Sequence, residues 1–226
     1  MTPTEPSSLR HCLECVRNAA TAEALVDATE ALSTLCPELT PGSSDQDEAI
    51  ACLLELLRHN NPGAAVAAVD GLVACGGTAV QPILDNIDDH NYGARAWAVR
   101  ALAGLRDPRG LEVLERAALQ DIGPSVRRAA ARGLGLLQLH ELPAAERHIV
   151  QNRMLNGLEV SCGDAEWVVR YAACVGLEGY LKQSPAAEAM QRNQAYALLR
   201  NLSEASSEDA DVVRLRALLA LERLAA

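Results

Sequence analysis

The residues of this chain best suited to chemistry are aromatic rings and guanidinium groups at helical spacing. Trp97 and Arg100 stand three residues apart, Arg128 and Arg132 four apart, and Trp167 and Tyr171 four apart, with Tyr92 ahead of Trp97. Residues three or four apart share one face of an α-helix. Such a face offers π-surfaces for stacking and forked donors that pair bidentately with carboxylates. That chemistry suits a flat, conjugated, anionic ligand. A protein partner would use the same residue types. A third reading has the two tryptophans capping the core beneath solvated arginines. A second arginine set, Arg95, Arg127, Arg170 and Arg214, follows an acidic residue by six positions: Asp89, Asp121, Asp164 and Glu208. Its reading is structural, a ladder of ion pairs between neighbouring repeats.

The elements that position these side chains follow from internal repetition. The pattern Asp, five residues, Arg, two residues, Ala, three residues, Leu occurs from Asp89 to Leu102, from Asp121 to Leu134 and from Asp164 to Leu177. Glu208 to Leu221 is a fourth copy, and a degenerate earlier one keeps Ala68 and Leu72 but has His59 and Ala65 at the charged places. The reference positions are spaced 30, 32, 43 and 44 residues apart. The shorter periods fit stacked helical hairpins, and the longer ones require a longer first helix or loop. Counted from the arginine, offsets −1, +3 and +7 form one apolar helical stripe. Offset +6 is always small (Gly71, Ala101, Gly133, Gly176, Ala220), which implies a closely approaching neighbour at each site. Offsets +1, +2 and +5 are expected opposite the stripe, with −3 at the mouth of the helix, and equivalent offsets would line one concave wall. Amphipathic partner segments are expected at Asp47–His59, Ala79–Ile87, Gly110–Leu119, Ala144–Val160 and Ala186–Ala205. Turn signals stand at Asn60–Gly63, Gly76-Gly77, Asp107-Pro108, Pro143 and Pro185. The expected fold is an all-α solenoid of HEAT-like hairpins. Residues 1–46 would hold two helices (Ser8–Ala20, Ala22–Leu35) and a loop at Pro37–Ser44. Residues 47–226 would form one continuous array of about five repeats.

Composition agrees with that fold and excludes several functions. Hydrophobic residues make up 49% of 226 and aromatic residues 3%, with no Phe, so the core must be Ala, Leu and Val. A net charge of −10 argues against a general phosphate-backbone binder. Seven irregularly spaced cysteines and a polar start point to reduced thiols and a cytoplasmic protein. No apolar run is long enough for membrane insertion. Cys12-x-x-Cys15 has no second pair, so no metal site is expected. Cys52, Cys75 and Cys174 fall among apolar residues and read as packing. Deoxyhypusine hydroxylases share the repeat architecture but need several His-Glu pairs, and this chain has only His140-Glu141.

Several strings carry a more specific likeness: Asn60-Asn61-Pro62-Gly63-Ala64-Ala65-Val66, then Asn91-Tyr92-Gly93-Ala94-Arg95-Ala96-Trp97-Ala98 with Val99-Arg100-Ala101-Leu102. Ser125-Val126-Arg127-Arg128-Ala129-Ala130 and Glu166-Trp167-Val168-Val169-Arg170-Tyr171-Ala172-Ala173 follow. Over roughly residues 48–224 the chain resembles the F subunit of the phycocyanin α-subunit phycocyanobilin lyases, the CpcE/CpcF type of cyanobacteria. The resemblance implies a heterodimer with an E-type partner that joins a bilin, phycocyanobilin or a relative, to a cysteine of a phycocyanin α chain by a thioether. It also implies reversal or transfer of the chromophore, and association with the phycobilisome. Arg100, Arg128 and Arg132 would hold the propionates, and Tyr92, Trp97, Trp167 and Tyr171 the rings. Asp89 or Asp121 would pair with a protonated pyrrole nitrogen or relay a proton. Related lyase-isomerases carry a His-Cys pair near the start of the middle stripe-bearing helix, where this chain reads Asp89-His90-Asn91-Tyr92 with no Cys, which favours plain ligation. Alternatives of other classes are a non-enzymatic adaptor of the phycobilisome and a lyase of different bilin or acceptor preference.

Overall fold

The computed structural model describes residues 8–183 and 189–225; Pro185 and its expected turn lie outside them. Among the described residues the chain is helical throughout, with twelve α-helices and three short 3-10 turns. They are α1 (Leu9–Asn18), α2 (Ala22–Leu35), α3 (Ser44–Leu56), α4 (Pro62–Ala74), α5 (Val80–Asp85) and α6 (Tyr92–Leu105). There follow α7 (Leu111–Gln120), α8 (Pro124–Leu134), α9 (Ala144–Cys162), α10 (Trp167–Gln183), α11 (Ala189–Ser203) and α12 (Asp211–Ala225). The even-numbered helices from α4 onward carry the repeated stripe and are called B helices; their odd-numbered partners are A helices. The wide repeat spacing in the second half has a direct cause: α9 is 19 residues long and reaches back only after the loop from Gly135 to Pro143.

Local sequence sets the helix starts. Asn61 Oδ1 accepts the Ala64 N–H at 3.2 Å with Pro62 in the first turn, and Asn91 Oδ1 accepts the Ala94 N–H at 3.0 Å. Side-chain oxygens at the cap satisfy amide groups that the helix itself leaves open. Ser43 does the same for α3, which is why that helix starts three residues before the expected Asp47. The Gly76-Gly77 turn is a 3-10 turn that runs into α5, with Gly76 at φ +70°. The segment Pro37–Ser44 is not wholly loop, since Cys36–Glu38 is a 3-10 turn.

The helices form two compact units, one ending at Ala101 and one beginning at Leu102. In the first unit α2 packs beside α4 and α1 beside α3. Ser33 Oγ donates to the Ala67 carbonyl at 2.6 Å, and Asn61 Nδ2 to the Ala22 carbonyl at 3.0 Å. In the second unit B helices α8, α10 and α12 pack side by side, as do A helices α7, α9 and α11. The stripe is buried in both units: Ala68, Leu72 and Ala98 in the first, Leu134, Ala173 and Leu177 in the second. Cys75 and Cys174 are buried and Cys52 half-buried.

One core residue is over-polar for its place. The Tyr180 side chain on α10 is fully buried, and its hydroxyl has no hydrogen-bond partner among the described residues. Burial pushes its phenol up to about 12. An unsatisfied buried hydroxyl costs about 1–3 kcal/mol. Tyr180→Phe is therefore expected to raise the urea midpoint, by a stability gain of about 1 kcal/mol. A loss of that size would show that the hydroxyl is bonded.

Candidate functional site

In the second unit, B helices α8 and α10 are each packed on three sides. A Cβ on Gly133 would stand 2.7 Å from Ala103 Cβ of α6, and one on Gly176 2.5 Å from the Ala131 carbonyl oxygen of α8. Offset +6 therefore faces the preceding B helix. Offsets +4 and +8 face the following one: Ala131 of α8 and Gly135 at its C-cap lie against α10, and Cys174 and Glu178 of α10 against Val213 and Arg216 of α12. Offsets −1, +3 and +7 enter the core. What remains open is a narrow strip at +1 and +5. Offset +2, expected on the open face, is turned inward: Ala67, Ala172 and Arg216 are buried and Trp97 is half-buried. At about 100° per residue, +2 lies next to +6 on the side held by the preceding helix.

The candidate ligand residues occupy that strip and the helix mouths. In the first unit, Arg100 is exposed at +5 and its guanidinium lies over the half-buried Trp97 ring, 5.4 Å from the centroid. Tyr92 is exposed at the start of α6, with Arg95 5.9 Å from its ring centroid. Trp97 and Arg100 thus form a ring and cation pair. In the second unit, Arg128 and Arg132 are exposed at +1 and +5 of α8, one helical turn apart, without a hydrogen bond or ion pair among the described residues. Tyr171 is half-buried at +1 of α10, the neighbouring B helix, and Trp167 is exposed one turn earlier. A surface of unneutralised guanidinium groups beside rings binds planar anions well.

The other arginines are committed elsewhere. Arg95, Arg127, Arg170 and Arg214 each donate through Nη1 to the carbonyl six residues back, that of Asp89, Asp121, Asp164 and Glu208, at 2.9, 3.0, 2.8 and 2.7 Å. In Arg127 and Arg170 the outer edge of the guanidinium then crosses to the next repeat. Arg127 grips Asp164 through Nε at 2.6 Å and Nη2 at 3.0 Å, and Arg170 grips Glu208 at 2.6 and 2.7 Å. The same carboxylates accept turn amides: Asp164 from Glu166 N–H at 2.9 Å and Glu208 from Ala210 N–H at 2.8 Å. Burial alone would raise the Asp164 carboxyl, but Arg127 and the turn amide outweigh it and hold it below the usual range. Hydrogen bonds from Arg170 hold Glu208 at about 2 against its burial. Of the two carboxylates considered for proton handling, Asp89 is exposed, while Asp121 is half-buried and accepts the Gly123 N–H at 2.8 Å.

One ionic group escapes the repeat pattern. Glu178, buried in α10, takes Arg216 of α12 at 2.5 Å and Lys182 at 2.6 Å. Burial opposes ionisation of Glu178, and the two cations reverse that and lower its carboxyl. The available signal was the interval: Glu178 and Arg216 are 38 positions apart, as are Arg170 and Glu208. Among the described residues no group of His, Cys, Asp and Glu could hold a metal ion, and no single helix is long and apolar enough to cross a membrane.

Known proteins resemble this arrangement at two levels. The HEAT repeats family matches residues 50–135 and, overlapping them, 80–173. The phycocyanin alpha phycocyanobilin lyase CpcF of Synechocystis sp. strain PCC 6803 is 47% identical over 176 residues, 78% of each chain. The phycobilisome maturation protein of Synechococcus elongatus strain PCC 7942 is 44% identical over 215 residues, 95% of this chain and 97% of its own. Among solved structures, a chain of the complex of CpcE and CpcF of phycocyanin lyase from Nostoc sp. PCC7120 is 42% identical with a TM-score of 0.69. That match covers 77% of this chain and 99% of the Nostoc chain.

Proposed function

The chain belongs to the CpcF-like family of phycocyanobilin lyase subunits, and on that premise we propose which of its residues carry the activity. The protein is one subunit of a heterodimeric phycobilin lyase. With an E-type partner it binds a linear tetrapyrrole and directs its attachment, as a thioether, to a cysteine of the phycocyanin α subunit. The thiol adds across an exocyclic double bond of the bilin, so one carbon–sulfur bond forms and the thiol proton moves to the bilin. No redox partner and no leaving group are needed. The nucleophile comes with the acceptor protein; the lyase supplies binding and orientation, which suppress mixed products.

The observation that carries the residue assignment is the Trp97–Arg100 pair, in which the exposed Arg100 guanidinium lies 5.4 Å from the centroid of the half-buried ring. Trp97 and Tyr92 of α6 contact pyrrole rings, and Arg100 takes a propionate. On α8 and α10, Arg128 and Arg132 are the propionate donors, and Tyr171 and Trp167 the ring contacts. Asp89 and Asp121 are the carboxylates offered to a protonated pyrrole nitrogen. Bilin is here a substrate. A relative named for phycobilisome maturation supports work beside the phycobilisome.

The test is co-expression of this chain with an E-type partner, a phycocyanin α acceptor and phycocyanobilin synthesis. Covalent, zinc-fluorescent acceptor is the expected product, and its absence with every acceptor tried refutes the ligation role. Trp97→Ala in the purified heterodimer is expected to lower bilin transfer at least about tenfold, from loss of about 1.4 kcal/mol or more of ring contact. Normal bilin binding and transfer by that variant would remove α6 from the site.

A further inference from the structure

The seam between α2 and α4 runs in a near-constant register. Asn61 Nδ2 donates to the Ala22 carbonyl at 3.0 Å. A Cβ on Gly63 would stand 2.8 Å from Val26 Cγ2, and one on Gly71 2.6 Å from Ser33 Oγ and 3.1 Å from Ser33 Cβ. These contacts join positions 39, 37 and 38 apart and advance together, so the two helices run side by side in the same direction. One turn beyond Ser33 and Gly71, the same seam ends in a cysteine on each helix. Cys36 is the C-cap of α2 and Cys75 the C-cap of α4, 39 positions apart.

Both thiols are buried, at 1% and 6% exposure, and both are free. Cys36 donates a hydrogen bond to Cys75 across the seam, which lowers the Cys75 thiol against its burial and raises that of Cys36. The thiols of Cys12 and Cys52 act on Cys36 at longer range, through charge alone. Side-chain bonds hold both helix ends in place. Gln46 of α3 donates through Nε2 to the Cys75 carbonyl at 3.3 Å and accepts the Gly42 N–H, in the loop after Cys36, at 2.8 Å. A disulfide needs Cβ atoms about 3.5–4.5 Å apart. Helices that stand this close at Ser33 and Gly71 bring Cys36 and Cys75 to that span.

We propose that Cys36 and Cys75 are a redox pair that hydrogen peroxide closes into a disulfide, clamping the end of α2 to the end of α4. The inference is independent of the lyase-subunit reading. The Cys75 sulfur attacks one peroxide oxygen, the O–O bond breaks, and a sulfenic acid and one water form. The Cys36 sulfur then displaces the sulfenic oxygen, the S–S bond forms, and that oxygen leaves as a second water with the Cys36 proton. Two electrons pass from the two sulfurs to the peroxide. A small-molecule dithiol reverses the step by thiol–disulfide exchange. A cross-link over this interval removes chain freedom from the unfolded state, so the oxidised unit is more stable. Thiol pairs of this kind in otherwise reduced proteins act as redox sensors.

The experiment treats the full, reduced chain with hydrogen peroxide, blocks the remaining thiols after unfolding, and maps linked peptides by mass spectrometry without reductant. A Cys36–Cys75 link, lighter by two hydrogens than its separate peptides, is the expected product, and dithiothreitol should remove it. The thermal midpoint of the oxidised chain should rise by at least about 5 °C over its reduced form. Cys36→Ala and Cys75→Ala should each show no such rise. Each variant is compared with its own reduced form, so a lower starting midpoint does not affect the reading. If a variant fails to fold, the link mapped in the wild-type chain and its reversal still decide. Cys15→Ala, at an exposed thiol, is the control and should form the link as the wild type does. The pair is overturned if Cys36 and Cys75 both remain open to alkylation after peroxide, if either links to another cysteine instead, or if either ends as a sulfinate. A link without a rise in midpoint overturns the clamp.

Discussion

Gly135→Ala is expected to destabilise the second unit by at least about 3 kcal/mol, a size reserved for substitutions with a specific steric cause. The cause is the crossing of α8 and α10. A Cβ on Gly135 would fall 1.9 Å from the Gly176 carbonyl oxygen and 2.3 Å from its Cα. Those are backbone atoms, so no side-chain rotation relieves the overlap. The two helices must part by more than an ångström. That separation would loosen the hydrophobic contacts of Ala131 with Val169 and Ala172 across the same crossing. The reverse contact is as close, since a Cβ on Gly179 would stand 2.7 Å from the Gly135 carbonyl oxygen. Urea and thermal denaturation read the effect, with a midpoint lower by about 6–12 °C for a chain of this size. Gly163→Ala is the matched control: its Cβ would meet only the Val160 carbonyl, at 3.6 Å, and its φ of −97° suits any residue. It should change stability by less than about 1 kcal/mol. A Gly135→Ala protein as stable as the control would mean that the helices are not held this close.

The contrast between Gly135 and Gly176 shows how far the sequence could be read. Gly176 belongs to the small-residue column at +6, and repetition alone pointed to a close neighbour there. Gly135 sits at +8, where other copies carry Val73, Ala103 and Glu178, so no column singles it out. Its role comes from the local crossing geometry of two helices, which periodicity does not encode. The open strip followed the same logic. The buried stripe was visible because it repeats every turn, but the flank at +2 depends on the preceding B helix. Trp97 is therefore expected on the open face although it is half-buried, and Arg216, at the same offset in its own repeat, lies buried against Glu178. Arg100, Arg128 and Arg132 were recognisable because they fall outside the acidic-to-arginine interval that defines the ladder.

Arg170→Met tests that ladder, and its cost should depend on pH in a defined direction. Arg170 makes two bonds to Glu208, one to Asp209 and two to the carbonyls of Asp164 and Ala165. Methionine keeps much of the apolar stem and deletes the charge, so packing loss is small. The Glu208 carboxylate is then left buried with the Ala210 amide but without its counter-ion. Breaking a buried pair on one side costs about 3–5 kcal/mol. In the intact protein Glu208 is depressed from 4.5 to about 2. A depressed folded value means that its contribution is fully present above about 4.5 and is lost as pH falls toward about 2, up to roughly 3 kcal/mol over that window. Without Arg170, burial instead raises the carboxyl, and protonation relieves the variant. The stability gap between the two proteins should therefore be widest near neutral pH and shrink steadily below about pH 4.5. Urea denaturation at pH 7, 4.5 and 3 measures it. A gap that stays constant across that range would show that Arg170 acts through the turn carbonyls alone, and that the cross-repeat carboxylate adds nothing to the stacking of α10 on α12.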